Sequence, residues 1–236
     1  MSQINVDSIR SQTFIESPVD LNGTQVTYNS NTSMIGIGNG ALQSCTGINN
    51  VALGKSALQS LTTGDDNTAI GHSSLSLTTG NNNTAIGHNA GVNNTTGVNN
   101  TFIGSSADGA SATDDNTVTL GNSSITTLRC AVTTITSLSD ARDKKNIEES
   151  KYGLDIVESL KPVTFEWNTR DGAKKDIKDL GFIAQDLKEI DDDYLGLVYE
   201  SNPEKLEASY GRLIPILVKA IQELSEEIKK IKNEHP

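Results

Sequence analysis

The chain has 236 residues, a formal net charge of −11 and only 4% aromatic residues, with Trp167 the single tryptophan. The acidic balance argues against a nucleic-acid footprint and supplies no basic face for anionic membranes. The aromatic deficit argues against one large conventional core, so burial is expected from repetition or from other subunits.

No stretch approaches 18 consecutive apolar residues, so no membrane-spanning helix or membrane insertion is expected, and the opening MSQINVDSIRSQTF lacks the apolar run of a signal peptide. Cys45 and Cys130 lie far apart without metal-ligand spacing around them and read as small buried hydrophobes. No metal or cofactor is expected. Charge divides the chain: residues 1–138 carry 3 Lys+Arg and 8 Asp+Glu, whereas residues 139–236 carry 16 and 22. A shift this abrupt is read as a domain boundary.

Residues 1–33 read as a strand-rich lead-in. Residues 34–121 are built on a repeat: NVALG, NTAIG, NTAIG, NTFIG and NTVTLG close on Gly54, Gly71, Gly87, Gly104 and Gly121, after an earlier MIGIG closing on Gly38. A second series runs through Gly47, Gly64, Gly80 and Gly97. A period of 16 or 17 residues is too short for two helices but fits one coil of a β-solenoid or β-roll. Ala52 and Leu53, Ala69 and Ile70, and Ala85 and Ile86 would stack on their equivalents one coil away, about 4.8 Å apart. Asparagines before each strand suit turns and ladders. Leu42, Leu58 and Leu75, in the second limb, are expected to face neighbouring chains, which implies a homotrimer about the rod axis. These coils resemble those of trimeric autotransporter heads and viral fibre shafts. His72 and His88 follow consecutive AIG motifs; they form either a solvent-facing polar ladder or an ion site. Asp65/Asp66 and Asp114/Asp115 read as turn residues rather than the paired carboxylates of a glycan-degrading enzyme.

Residues 122–138, NSSITTLRCAVTTITSL, have strand composition and read as a β neck. Beyond them the pattern becomes α+β. GLDIVESL (153–160) has helical spacing, and KPVTFEWN (161–168) alternates Val163, Phe165 and Trp167 as a half-buried strand. Residues 169–179 read as a charged loop, and LGFIAQDLKEI as a strand entering a helix. Pro215 suits the first turn of a final helix. That helix carries Ile214, Leu217, Ile221, Leu224, Ile228 and Ile231 at alternating spacings of 3 and 4, a coiled-coil-like face for packing on its own domain or between subunits.

At the boundary, Ser139 and Lys144 supply a nucleophile and a potential base. A lysine acts as a base only when neutral, which burial or nearby positive charge favours; Arg142 and Lys145 are local positive charges. Five residues on an α-helix is about 500°, so the two side chains would not share a face. Either the segment is not helical at Ser139 or the lysine comes from another subunit; Ser139 also suits an N-cap.

SDARDKKNI, GLDIVESLKPVTFEW, GFIAQDL and YGRLIPILVKAIQEL, in that order over residues 139–236, resemble the self-cleaving intramolecular chaperone domain of phage tail fibres, tailspikes and endosialidases. A related domain occurs in membrane-anchored myelin regulatory transcription factors, but no DNA-binding region or membrane span is read in this chain. The resemblance implies that the domain trimerises, assists the fibre ahead of it and then cuts itself off. It assigns Ser139 as nucleophile, Lys144 as base and Leu138–Ser139 as the scissile bond, with a single-turnover serine endopeptidase activity. Backbone amides near Asp140 and the Gln185 side chain are candidate oxyanion donors; Asp140 and Arg142 are expected to shape the site by ion pairing. The expected architecture is a mixed one, an all-β trimeric fibre followed by an α+β chaperone with a long terminal helix. The resemblance implies a place on a virion, folding in the host cytoplasm beforehand, and a host-surface receptor as partner. The alternative is a non-cleaving trimeric adhesin with a permanent C-terminal tip.

Overall fold

The computed structural model describes residues 19–21, 24–29, 32–131 and 135–235; most of the lead-in expected over 1–33 lies outside them. The chain divides into two compact units, Met1–Ile125 and Thr126–Pro236.

In the first unit, β1 (Val19–Leu21) and β2 (Thr24–Asn29) pair antiparallel, and β2 pairs antiparallel with β3 (Met34–Ile37). From β3 the sheet is parallel, one strand per coil: β4 (Val51–Leu53), β5 (Thr68–Ile70), β6 (Thr84–Ile86), β7 (Thr101–Ile103) and β8 (Val118–Leu120). This is the β-solenoid that the repeat predicts. Register follows the motif, with Ala52, Ala69, Ala85 and Phe102 in one row and Leu53, Ile70, Ile86 and Ile103 in the next.

Two features of the repeat have separate causes. Gly54 has φ +136°, and a Cβ there would lie 2.5 Å from the Gly71 carbonyl oxygen of the next coil, so both conformation and stacking require glycine. The tandem asparagines divide their work. The first of each pair (Asn49, Asn82 and Asn99, with Asp66 in the same place) turns the chain at φ 58–59°. The second (Asn50, Asn67, Asn83 and Asn100) is buried and bridges coils. Asn67 Nδ2 donates to the Gly80 carbonyl at 2.9 Å, and its Oδ1 accepts from the Asn83 backbone N–H at 3.0 Å. Thr117 closes the ladder, donating to Asn100 Oδ1 through its N–H and hydroxyl.

The core corrects one expectation. Leu42, Leu58 and Leu75 do not face outward: they are buried inside their own coils. Each sits at φ 48–51°, which turns the side chain inward between the two limbs. The following coil has Gly91 in that place, and Phe102 replaces the alanine of the strand row. A Cβ on Gly91 would meet the Phe102 ring at 2.6 Å, so the phenylalanine fills the volume that the missing leucine leaves. The outward apolar row is instead Ile37, Leu53, Ile70, Ile86, Ile103 and Leu120, each 37–52% exposed.

Residues 122–138 form no strand among their described positions, and Ile125, Leu128, Ile135 and Leu138 are exposed. Their alternating pattern needs a pairing partner, and the same chain supplies none to the described positions. Cys45 is half-buried against the solenoid core, where desolvation pushes its thiol pKa up, whereas Cys130 is exposed rather than buried.

The second unit has a small core of Leu187, Leu195, Leu197, Leu213 and Ile216. Around it lie α1 (Leu154–Ser159), β9 (Val163–Asn168), β10 (Lys175–Gly181), α2 (Ala184–Lys188), β11 (Val198–Tyr199), β12 (Glu207–Ala208) and α3 (Leu213–Glu234). The expected charged loop over 169–179 is partly strand. β10 pairs antiparallel with β9, with a bulge between Lys175 and Ile177 where Asp176 takes φ 58°. Trp167 Nε1 donates to Asp179 across this hairpin at 3.0 Å.

Helix α3 has two apolar faces. Leu213, Ile216 and Ala220 are buried, and the helix packs against α1. The row Ile214, Leu217, Ile221, Leu224, Ile228 and Ile231 is 41–66% exposed. Glu223 supplies the cap that α1 lacks locally, accepting from the Leu154 N–H at 2.8 Å.

Candidate active site

The site is a hook of six residues, Ser139 to Lys144. Asp140 is extended (φ −69°, ψ 134°), Ala141–Asp143 make one 3-10 turn, and Lys144 is extended again (φ −121°, ψ 150°). The Asp143 N–H donates to the Asp140 carbonyl and the Lys144 N–H to the Ala141 carbonyl. At three residues per turn, this element rotates the chain by about 360°, so it leaves on the side it entered. Lys144 Nζ thereby reaches Ser139 Oγ at 2.7 Å within one chain. The 500° objection applies to a continuous α-helix and does not arise here.

Asp140 and Arg142 build the turn. Asp140 Oδ1 accepts from the Arg142 backbone N–H at 2.9 Å and from Arg142 Nε at 3.0 Å; its Oδ2 accepts from Nε at 3.1 Å and from the terminal guanidinium nitrogen at 2.6 Å. The guanidinium, and then the backbone N–H, hold the Asp140 carboxyl below its usual range. The same carboxylate raises the pKa of Arg142. With both oxygens engaged, Asp140 has little capacity to act as a base. Arg142's charge is largely taken up by its partner.

Ser139, Lys144 and Leu138 are all exposed, Leu138 at 83%. Gln185 lies in α2 and is exposed; among the described residues no hydrogen bond links it to Ser139 or Lys144. Downstream, Glu149 is held by Lys219 of α3 at 2.6 Å, an ion pair that ties the segment after the hook to the terminal helix. Sequence reading missed this tie because its partners are 70 residues apart. The Asp140 turn had a local signal, an aspartate two residues before the backbone N–H that it caps.

The other candidates lie in the solenoid. The His72 and His88 rings stack at 5.3 Å, and both are exposed. No group of three His, Cys, Asp or Glu among the described residues is arranged to hold a metal ion. Asp65 Oδ1 accepts from the Ile48 N–H and Asp115 Oδ1 from the Val98 N–H, so these carboxylates serve turns in adjacent coils. No helix among the described residues is long and apolar enough to cross a membrane.

Residues 139–196 match the family model described as chaperone of endosialidase. The match opens on Ser139 itself and ends before α3. No curated protein and no solved structure matches the chain.

Proposed function

We propose that this chain is a viral tail-fibre segment whose C-terminal domain trimerises the chains, guides winding of the solenoid and then cuts the Leu138–Ser139 bond; the match of residues 139–196 to the chaperone-of-endosialidase family model, behind a β-solenoid, supports this. The observation that carries the cleavage is the 2.7 Å contact between Lys144 Nζ and Ser139 Oγ at the first residue of the family match.

The reaction is an acyl transfer. Neutral Lys144 takes the Ser139 hydroxyl proton as Oγ bonds to the Leu138 carbonyl carbon. The attacking oxygen and that carbon are joined through Cβ, Cα and N of Ser139, so attack closes a five-membered ring without any search for the substrate. Collapse breaks the Leu138–Ser139 C–N bond, and the lysine proton passes to the departing α-amine. Water then attacks the ester, Lys144 accepts its proton, and Oγ leaves and is reprotonated. The products are a Leu138 carboxylate and a chain beginning at Ser139.

Two exposed apolar rows support a homotrimer: Ile37 to Leu120 on the solenoid and Ile214 to Ile231 on α3. Narrow coils stacked on one another have many near-identical registers, so aligning three chains at one end prevents slippage. Assembly would also desolvate the exposed hook, and burial favours the neutral form of a lysine, the only form that can take up a proton as a base. Cleavage then reports completed assembly and leaves a kinetically trapped fibre. The fibre belongs on the virion, after folding in the host cytoplasm, and engages a host-surface receptor.

Denaturing electrophoresis of wild type and Ser139→Ala tests this. The proposal expects fragments 1–138 and 139–236 from wild type and only intact chain from the variant. An intact wild type in a folded trimer would instead support a non-cleaving adhesin.

A further inference from the structure

The geometry points to Asp140 and Arg142 as positioning residues that build the hook and so deliver Lys144 to Ser139. This rests on the cleavage reading above and deepens it.

Four contacts converge on one carboxylate, and they are of two kinds. The Arg142 backbone N–H to Asp140 Oδ1 is a cap on the 3-10 turn. It fixes the main chain over the three residues whose rotation returns Lys144 to the serine. The guanidinium contacts to both oxygens form a fork that spans Asp140 and Arg142 from outside the turn. Arg142 itself is 89% exposed along its side chain, so it packs against little, and its guanidinium pairs with Asp140. Among the described residues, no hydrogen bond joins either side chain to Ser139 Oγ or Lys144 Nζ. Their effect on the reaction therefore passes through the backbone.

The turn is otherwise weakly held. It is three residues long, with two backbone hydrogen bonds and no buried side chain. An isolated turn of this kind is not self-supporting in water, since 3-10 hydrogen bonds are poorly aligned. Without the cap, Lys144 samples positions away from the serine, and the fraction of time spent in the reactive arrangement falls.

The cap and the fork separate by mutation. Asp140→Asn keeps a good cap, because asparagine caps as well as aspartate, but weakens the charged fork. Arg142→Ala keeps the backbone cap and deletes the fork. Asp140→Ala removes both. Cleavage is followed as a pulse-chase in cell-free translation, with trimer content measured in parallel on native gels. Wild type is expected to cleave. Asp140→Ala is expected to cleave on the order of tenfold more slowly with trimer undiminished, and Asp140→Asn and Arg142→Ala each to fall between the two, because each keeps the cap and weakens or loses the fork; wild-type rates in Arg142→Ala would overturn the role of its side chain.

Wild-type rates in Asp140→Ala would overturn the assignment. So would an Asp140→Asn as slow as Asp140→Ala, because the cap would then carry nothing, and so would slow cleavage that only follows loss of trimer. An uncleaved wild type is a different result, seen before any variant; it would remove the cleavage reading and the assignment with it.

Discussion

Replacing Asn67 by alanine removes one rung of the internal ladder. Asn67 is fully buried, and its amide donates to the carbonyls of Gly80 and Asp65. Its oxygen accepts from the backbone and side-chain N–H groups of Asn83. Gly80 and Asn83 are themselves buried, so a carbonyl and an N–H lose partners where water does not reach them. At about 1–3 kcal/mol for each such group, the loss is about 2–6 kcal/mol. Because each coil contacts only its neighbours, the loss falls on the interface between two coils. Far-UV circular dichroism during urea unfolding reads the solenoid together with the helices of the second unit, and fluorescence of Trp167 reads the second unit alone, so the far-UV transition that fluorescence does not share belongs to the solenoid. With a slope of about 2 kcal/mol per molar, the far-UV midpoint should fall by about 1–3 M and the fluorescence midpoint should not move. Asn81→Ala is the control: Asn81 is exposed, and the bond lost is the one from the Asp65 N–H to its side-chain oxygen, so the cost should stay near 1 kcal/mol or below. Equal shifts in the two variants would refute the argument that burial makes the ladder matter.

Other consequences are equally direct. Phe102→Ala should cost about 3–5 kcal/mol in solenoid stability, and Gly91→Leu on top of it should recover much of that loss by restoring the leucine of neighbouring coils; simple additivity in a thermal-unfolding double-mutant cycle would contradict the packing account. Ile221→Asp with Leu224→Asp should leave the α1–α3 contact intact, as shown by circular dichroism, yet abolish trimer and cleavage together, because these side chains lie on the exposed face of α3; light scattering that still finds a trimer would contradict this. The Asp140 carboxyl is depressed when hooked to Arg142, so the hook is fully favoured above the ordinary carboxylate range and is lost as pH falls through the lowered value. The Asp140 carboxyl carbon shift, followed by NMR in Ser139→Ala, should titrate below the usual range and move up toward it in Arg142→Ala, where the backbone N–H alone still lowers it; identical titrations would count against the pair.

Much of this fold is legible in the residues, and the gaps have physical causes. The 16–17-residue period identifies which positions are equivalent, and β3 to β8 fall on it. A period does not say which limb points inward, so Leu42, Leu58 and Leu75 look suited to an interface until their left-handed backbone is known. In three-residue strands only the middle position faces the core, which leaves Ile70 and its equivalents outside. On α3 the heptad row is readable at once. The face used within the unit, Leu213, Ile216 and Ala220, lies beside it and is shorter. The charges of β10 hide a strand because neither of its faces is buried; only pairing with β9 makes it one. At the site, the residues Ser139 and Lys144 are nameable from the motif, but their meeting is not. It depends on a single 3-10 turn capped by Asp140, and helical spacing argues the opposite.

The central claim is that Ser139 cuts the bond preceding it. Intact-mass analysis of the purified wild-type chain under denaturing conditions tests it most directly. The account predicts a product whose mass is that of residues 139–236 with a free N-terminal serine, absent from both Ser139→Ala and Lys144→Met. A product beginning at any other residue, or the same product from Lys144→Met, would contradict it.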